Sequence, residues 1–121
     1  MLVKNKIPFV NENEIMKNAL KTLNSKKLGF LVVVNNKGAN TGVFTDGDLK
    51  RLMQKKNTIE NIKIKSFMTK KPFMVDENTL ASEVLFQMNK KKITNVCVYN
   101  RANKQKTIGV LHIHTLLNNL R

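Results

Sequence analysis

The segment Gly42-Val43-Phe44-Thr45-Asp46-Gly47-Asp48-Leu49 sets one hydroxyl and two carboxylates side by side, directly after a short apolar run. The chain has only eight acidic residues against twenty-two basic ones, so two acids this close together call for a reason. Where a chain leaves a strand and enters a helix, the first-turn amides lack partners and carry the positive end of the helix dipole. Thr45 can accept from one of these amides, and Asp48 can reach back to the Thr45 amide. That is a capping box, and it needs no ligand. The same atoms also suit a nucleoside phosphate. One carboxylate accepts hydrogen bonds from both hydroxyls of a ribose cis-diol. A threonine hydroxyl at an exposed helix start can hold a phosphate, which the dipole favours. Gly47, between the acids, lets ligand or backbone approach closely. The two uses do not exclude each other.

Other chemistries fit less well. Asp46-Gly47-Asp48 is not a calcium loop, because the glutamate required at the twelfth position of such a loop falls on Asn57. His112-Ile113-His114 offers two imidazoles, but a closed metal site needs about four ligands. The lone cysteine, Cys97, reads as core. No Ser/His/Asp or Cys/His set suggests catalysis by this chain. The expectation is neither a metal, nor a cofactor, nor an enzyme within these 121 residues.

The elements that must position these groups emerge when the chain is laid on itself. Shifted by 65, Asn13 falls on Asn78, Ile15 on Leu80, Ala19 on Val84, Leu20 on Leu85 and Leu23 on Met88. The same shift carries Leu31–Asn35 onto Val96–Asn100. Beyond that loop a shift of 67 carries Gly42-Val43-Phe44 onto Gly109-Val110-Leu111. A two-residue insertion in a surface turn accounts for the change. The chain is a tandem duplication with copies at 1–61 and 62–121.

Each copy reads as strand, helix, strand, strand, helix. In the first, a lead over 8–10 precedes a helix over 14–26, capped by Asn13 or Asn11, with Ile15, Ala19, Leu20 and Leu23 on one face. The apolar, β-branched run 30–35 predicts a buried strand. Turn chemistry over 36–40 and a strand over 41–44 follow. A helix then runs to about Lys55, with Leu49, Leu52 and Met53 inward. The second copy repeats this with a lead over 72–75, a helix over 79–91, strands over 93–99 and 107–111, and a helix over 113–120. The segment 57–71 joins the halves. One half alone buries a marginal core. The expected fold is therefore α+β, with two β-α-β-β-α repeats packed through their sheets under pseudo-twofold symmetry.

The net charge of +14 raises the question of a nucleic-acid partner. The lysines are dispersed, arginine is rare and aromatics are not interleaved with the basic residues, so a solvated surface is the simpler account and no specific nucleic-acid partner is expected. No run approaches the length of a membrane helix. With no secretory h-region and one cysteine, the expectation is a cytoplasmic protein without a membrane partner.

The repeat order, with Gly-apolar-apolar-Thr-x-x-Asp at the last strand-to-helix junction, resembles a CBS-domain pair, or Bateman module. The words GVFTDGDLKR and GVLHIHTLL are similar to the C-terminal CBS pair of the KpsF/GutQ family, the arabinose 5-phosphate isomerases of Kdo and lipopolysaccharide synthesis. The family's catalytic sugar-isomerase domain lies upstream of that pair and has no counterpart here, so the resemblance implies either an excised regulatory fragment or a free-standing CBS pair, with the start at MLVKNKIPFV favouring the fragment. It further implies a small-molecule effector in an inter-repeat cleft, either an adenine nucleotide or CMP-Kdo, and a homodimer of modules within a tetrameric enzyme. By resemblance Thr45 and Asp48, with Asp46 between them, would serve phosphate and ribose. In the second copy His112 stands at the threonine position and Thr115 at the aspartate position. Diol recognition is weakened there, and His112 and His114, when protonated, would instead face a phosphorylated sugar. The alternative is a structural oligomerisation module with vestigial sites.

Overall fold

The computed structural model describes residues 7–26, 29–56 and 58–119. The chain divides into two compact units, one spanning Pro8–Pro72 and the other built on Phe73–Arg121 together with the segment up to Ile7. The two units show the α+β repeat expected from sequence.

In the first unit, β1 (Phe9–Asn11) leads into α1 (Met16–Lys26), β2 (Phe30–Val34), β3 (Asn40–Thr45) and α2 (Asp46–Lys55). A short 3-10 turn (Ile64–Ser66) and β4 (Thr69–Lys70) then complete the unit. Strand order is β1-β2-β3-β4, with β1 and β2 parallel and the later pairs antiparallel. The run Phe30–Val33 is buried throughout, which is why it reads as unbroken apolar residues rather than an alternation. The second unit holds β5 (Met74–Asp76), α3 (Ala81–Lys91), β6 (Asn95–Tyr99), β7 (Gly109–His112) and α4 (Ile113–Asn119), with strand order β5-β6-β7.

Strand registers reproduce the shifts read from sequence. Phe9 pairs with Val32 and Met74 with Cys97, while Val32 pairs with Val43 and Cys97 with Val110. Each unit has its own apolar core. Met16, Ala19, Leu23, Leu31, Phe44 and Leu52 belong to the first, and Val75, Val84, Met88, Val96, Val98 and Leu116 to the second. Cys97 is buried, as its place opposite Val32 in the repeat demands.

Several local expectations need correction. Met53 does not face inward: it is 61% exposed, and Leu52 is the residue of α2 that is buried. Neither Asn11 nor Asn13 caps α1. Asn11 instead accepts from the Asn13 amide in a tight turn, and the amides of Met16 and Lys17 donate to the carbonyls of Ile62 and Glu60. The joining segment thus supplies acceptors that a local side chain was expected to supply. Strand β4 lies within that joint and carries no apolar signature of its own. The last predicted helical residue, Leu120, lies outside the described residues.

Candidate functional site

At the start of α2 the capping box is present. Thr45 is extended and stands at the N-cap; its hydroxyl accepts from the Asp48 amide at 3.2 Å, and the Asp48 carboxylate accepts from the Thr45 amide at 3.0 Å. The Asp46 amide donates to the carbonyl of Gly29, which is left-handed with φ of +63°. The left-handed backbone favours glycine at this position, while the Asp46 carboxylate that lies over it is the end of a flexible side chain and could swing aside.

Asp48 does more than cap. Its Oδ1 pairs with the Arg51 guanidinium at 2.5 Å, and the Thr69 hydroxyl donates to the carboxylate at 3.3 Å and 3.4 Å. The Asp48 side chain is only 9% exposed. Two of these partners were not singled out from sequence. Arg51 was legible, being three residues along the same helix. Thr69 was not, since it arrives on β4 from the joint and sits beside Val43 only after the sheet forms. Asp46, by contrast, is exposed, and among the described residues no ion pair or hydrogen bond engages its carboxylate.

Glycines around the site divide by cause. A Cβ on Gly42 would lie 2.5 Å from Met68 Sδ and 2.8 Å from the Thr69 carbonyl oxygen, so the close passage of β4 excludes any side chain. A Cβ on Gly47 would meet nothing nearer than Arg51 at 3.5 Å. Packing does not explain Gly47.

The second helix start copies the first in its backbone. The Ile113 amide donates to the Thr94 carbonyl, as Asp46 does to Gly29, and His112 pairs with Asn95 as Thr45 does with Phe30. The side chains differ. His112 Nδ1 accepts from the His114 amide at 3.1 Å, and the two rings lie 4.9 Å apart at 30°. His112 thereby takes over the capping role of Thr45, and this bond requires Nδ1 to be unprotonated. Thr115 is exposed, and among the described residues its side chain has no hydrogen-bond partner. The structure thus brings Thr45 together with Asp48, and His112 with His114, in separate units. Among the described residues, no three His, Cys, Asp or Glu side chains are placed to share a metal, and no helix is long and apolar enough to cross a membrane.

Comparison with known proteins bears on the fold and the family. The CBS domain model matches residues 2–55 and again 64–121. The chain is 34% identical over 111 residues to the arabinose 5-phosphate isomerase KdsD of Salmonella typhi; the match takes in 92% of this chain but 33% of that protein. The chain therefore spans about a third of the length of the curated relatives it matches. Among solved structures, a CBS-domain protein of Agrobacterium tumefaciens superposes with a TM-score of 0.84 at 20% identity, covering 95% of this chain and 90% of its own. CBSX2, solved in complex with AMP, superposes with a TM-score of 0.81 at 22% identity, covering 99% and 91% respectively. With both copies matched and the repeat order reproduced element by element, the chain belongs to the CBS-domain family as a tandem pair.

Proposed function

We propose that this chain is the regulatory CBS pair of an arabinose 5-phosphate isomerase and senses a nucleotide or sugar-nucleotide effector at the start of α2. The observation that carries the reading is Gly47. A glycine inside a helix costs about 1 kcal/mol relative to alanine, and nothing in the fold requires one here. It leaves the first turn of α2 open between Thr45, Asp46 and Asp48. The similarity to KdsD supports the isomerase context, and the AMP complex of the structurally similar CBSX2 supports a nucleotide-class ligand.

Binding needs Asp48 to exchange partners. Arg51 is 66% exposed, and a surface pair of that kind is worth about 0–1 kcal/mol. Two ribose hydroxyls offer charge-assisted bonds in its place. Arg51, once released, would be free to meet a phosphate. The second start has no carboxylate, so one ligand per chain is the proposed stoichiometry, with His112, His114 and Thr115 as a weaker anion site. The effector acts on a catalytic domain only through different affinities for two arrangements of the whole enzyme. Exposed Phe86 and Leu117 support pairing of two such modules as a homodimer.

A structural module with vestigial sites is the second reading, favoured by the full engagement of the Asp48 carboxylate. Gly47→Ala separates the two readings. The vestigial reading predicts only a gain of about 0.5–1 kcal/mol in stability from better helix propensity. The sensing reading predicts the same gain plus loss of the thermal shift given by AMP, ATP or CMP-Kdo. A panel with no shift in the unmodified chain supports the vestigial module instead.

A further inference from the structure

The chain has five glycines, and only Gly47 follows an aspartate or an asparagine. An aspartate before glycine can close on its own backbone. The next nitrogen and the side-chain carboxyl carbon complete a five-membered ring, and glycine puts no side chain in the path. Asp46 is exposed, and among the described residues its carboxylate has no hydrogen bond or ion pair to give up. A Cβ on Gly47 would meet nothing nearer than 3.5 Å, so the ring has room.

The start of α2 supplies both a favourable field and a brake. Of its first three amides, that of Asp46 is held by the Gly29 carbonyl and that of Asp48 by the Thr45 hydroxyl. The Gly47 amide between them is one that helix geometry leaves without an intrahelical acceptor. Its nitrogen gains negative charge as it gives up its proton. The positive end of the helix dipole favours that charge, and so does the Arg51 guanidinium, whose Nη1 and Nη2 lie 3.5 Å and 3.7 Å from the Gly47 Cβ position. Helical backbone at Asp46 turns the Gly47 nitrogen off the line of attack, so the first turn must open before the two groups meet. The reciprocal bonds of Thr45 and Asp48 oppose that opening.

We propose that Asp46-Gly47 is a site of spontaneous isoaspartate formation whose rate is set by the capping box. The Gly47 nitrogen attacks the carboxyl carbon of Asp46 in its acid form. The N–C bond forms, a C–O bond breaks, and the oxygen leaves as water, which in net terms takes the amide proton and the carboxyl proton. Water then opens the succinimide. Cleavage of the new C–N bond restores aspartate, while cleavage at the main-chain carbonyl leaves isoaspartate, with the backbone running through Cβ. No oxidant or reductant is needed. The extra methylene falls between Thr45 and Asp48, whose mutual bonds depend on their three-residue spacing. Aged molecules therefore lose the box. The shift of 67 carries the pair onto Ile113-His114, so the second helix start is spared. The reaction requires no nucleotide at α2.

The test ages the whole chain at neutral pH, well below its melting temperature, and maps isoaspartate by peptide mass spectrometry with electron-transfer fragmentation. The expected result is accumulation at Asp46 at least tenfold faster than at Asp48 or Asp76, the other two aspartates, which precede Leu49 and Glu77. A succinimide one water lighter precedes it in the same peptide. Gly47→Ala slows the reaction at least tenfold. Thr45→Ala, which removes one bond of the box, speeds it severalfold in chains whose circular dichroism matches the parent. Equal rates at the three aspartates of the parent chain overturn the proposal, as does a rate unchanged by Gly47→Ala. A rate unchanged by Thr45→Ala overturns the role given to the capping box. Nucleotide binding measured on fresh protein reports separately on the sensing of an effector.

Discussion

Phe44→Ala is expected to cost about 3–5 kcal/mol of unfolding free energy, by lost transfer energy and by the cavity left behind. Phe44 is fully buried, the largest of the completely enclosed side chains, and it is the last core residue of β3 before Thr45 turns into α2. Its neighbours in the first core come from α1, β2 and α2, so the loss is felt by every layer of the unit. Because small domains have only about 5–15 kcal/mol in hand, the variant would be close to unfolding at 37 °C, and the capping box would go with it. Denaturant titration followed by circular dichroism measures the change. Met53→Ala, at a residue 61% exposed, is the control and should stay within about 0.5 kcal/mol of the parent. A loss at Phe44 no larger than at Met53 would mean the core is elsewhere.

Gly42→Val is the second large effect. Even a methyl at Gly42 would sit 2.8 Å from a backbone oxygen of β4, and backbone cannot yield as a flexible side chain can. Met68 Sδ, at 2.5 Å from the same point, can move only by giving up its packing against the first core. Overpacking of this kind costs about 1–3 kcal/mol, and the larger valine should reach the upper end. The substitution also pushes Thr69 away from Asp48, so stability and the site suffer together. Gly47→Ala, five residues on, should move stability in the opposite direction. The contrast between two glycines of one motif is read by comparing their denaturation midpoints, and equal signs would contradict the account.

What was legible in the sequence is what short-range pattern encodes. The unbroken apolar run of β2, the matching run of β6 and the turn at 36–40 declare two copies of one unit, and the 65 and 67 shifts match the strand pairings residue by residue. Thr45 and Asp48 form their capping box because both partners lie within one helical turn. The misses have a common physical cause: they depend on residues distant in sequence. Asn11 and Asn13 are good N-cap types, but Ile62 and Glu60 bring carbonyls to the start of α1 and make a side-chain cap unnecessary. Thr69-Lys70 has no strand pattern, and it becomes β4 because Gly42 leaves room for a neighbour. Met53 continues an apolar stripe on paper, yet Leu49 and Leu52 already cover the core and Met53 falls on the outer flank. The repeat predicted that Leu80 would match Ile15 in type, which it does. It did not predict that one is covered and the other bare, since that depends on the joint.

Asp48 is the point where fold and function compete for the same two oxygens. Capping, Arg51 and Thr69 occupy them in this structure, while a ribose diol would need at least one. Isothermal titration of AMP and of CMP-Kdo into the parent chain and into Asp48→Asn decides between the two. Asparagine keeps an acceptor for the Thr45 amide, so the fold survives while the charge is lost. The account predicts saturable heat with one site per chain for at least one of the two ligands, falling at least tenfold in affinity in Asp48→Asn. Equal affinity in the two proteins, or no heat from either ligand in the parent, would contradict it.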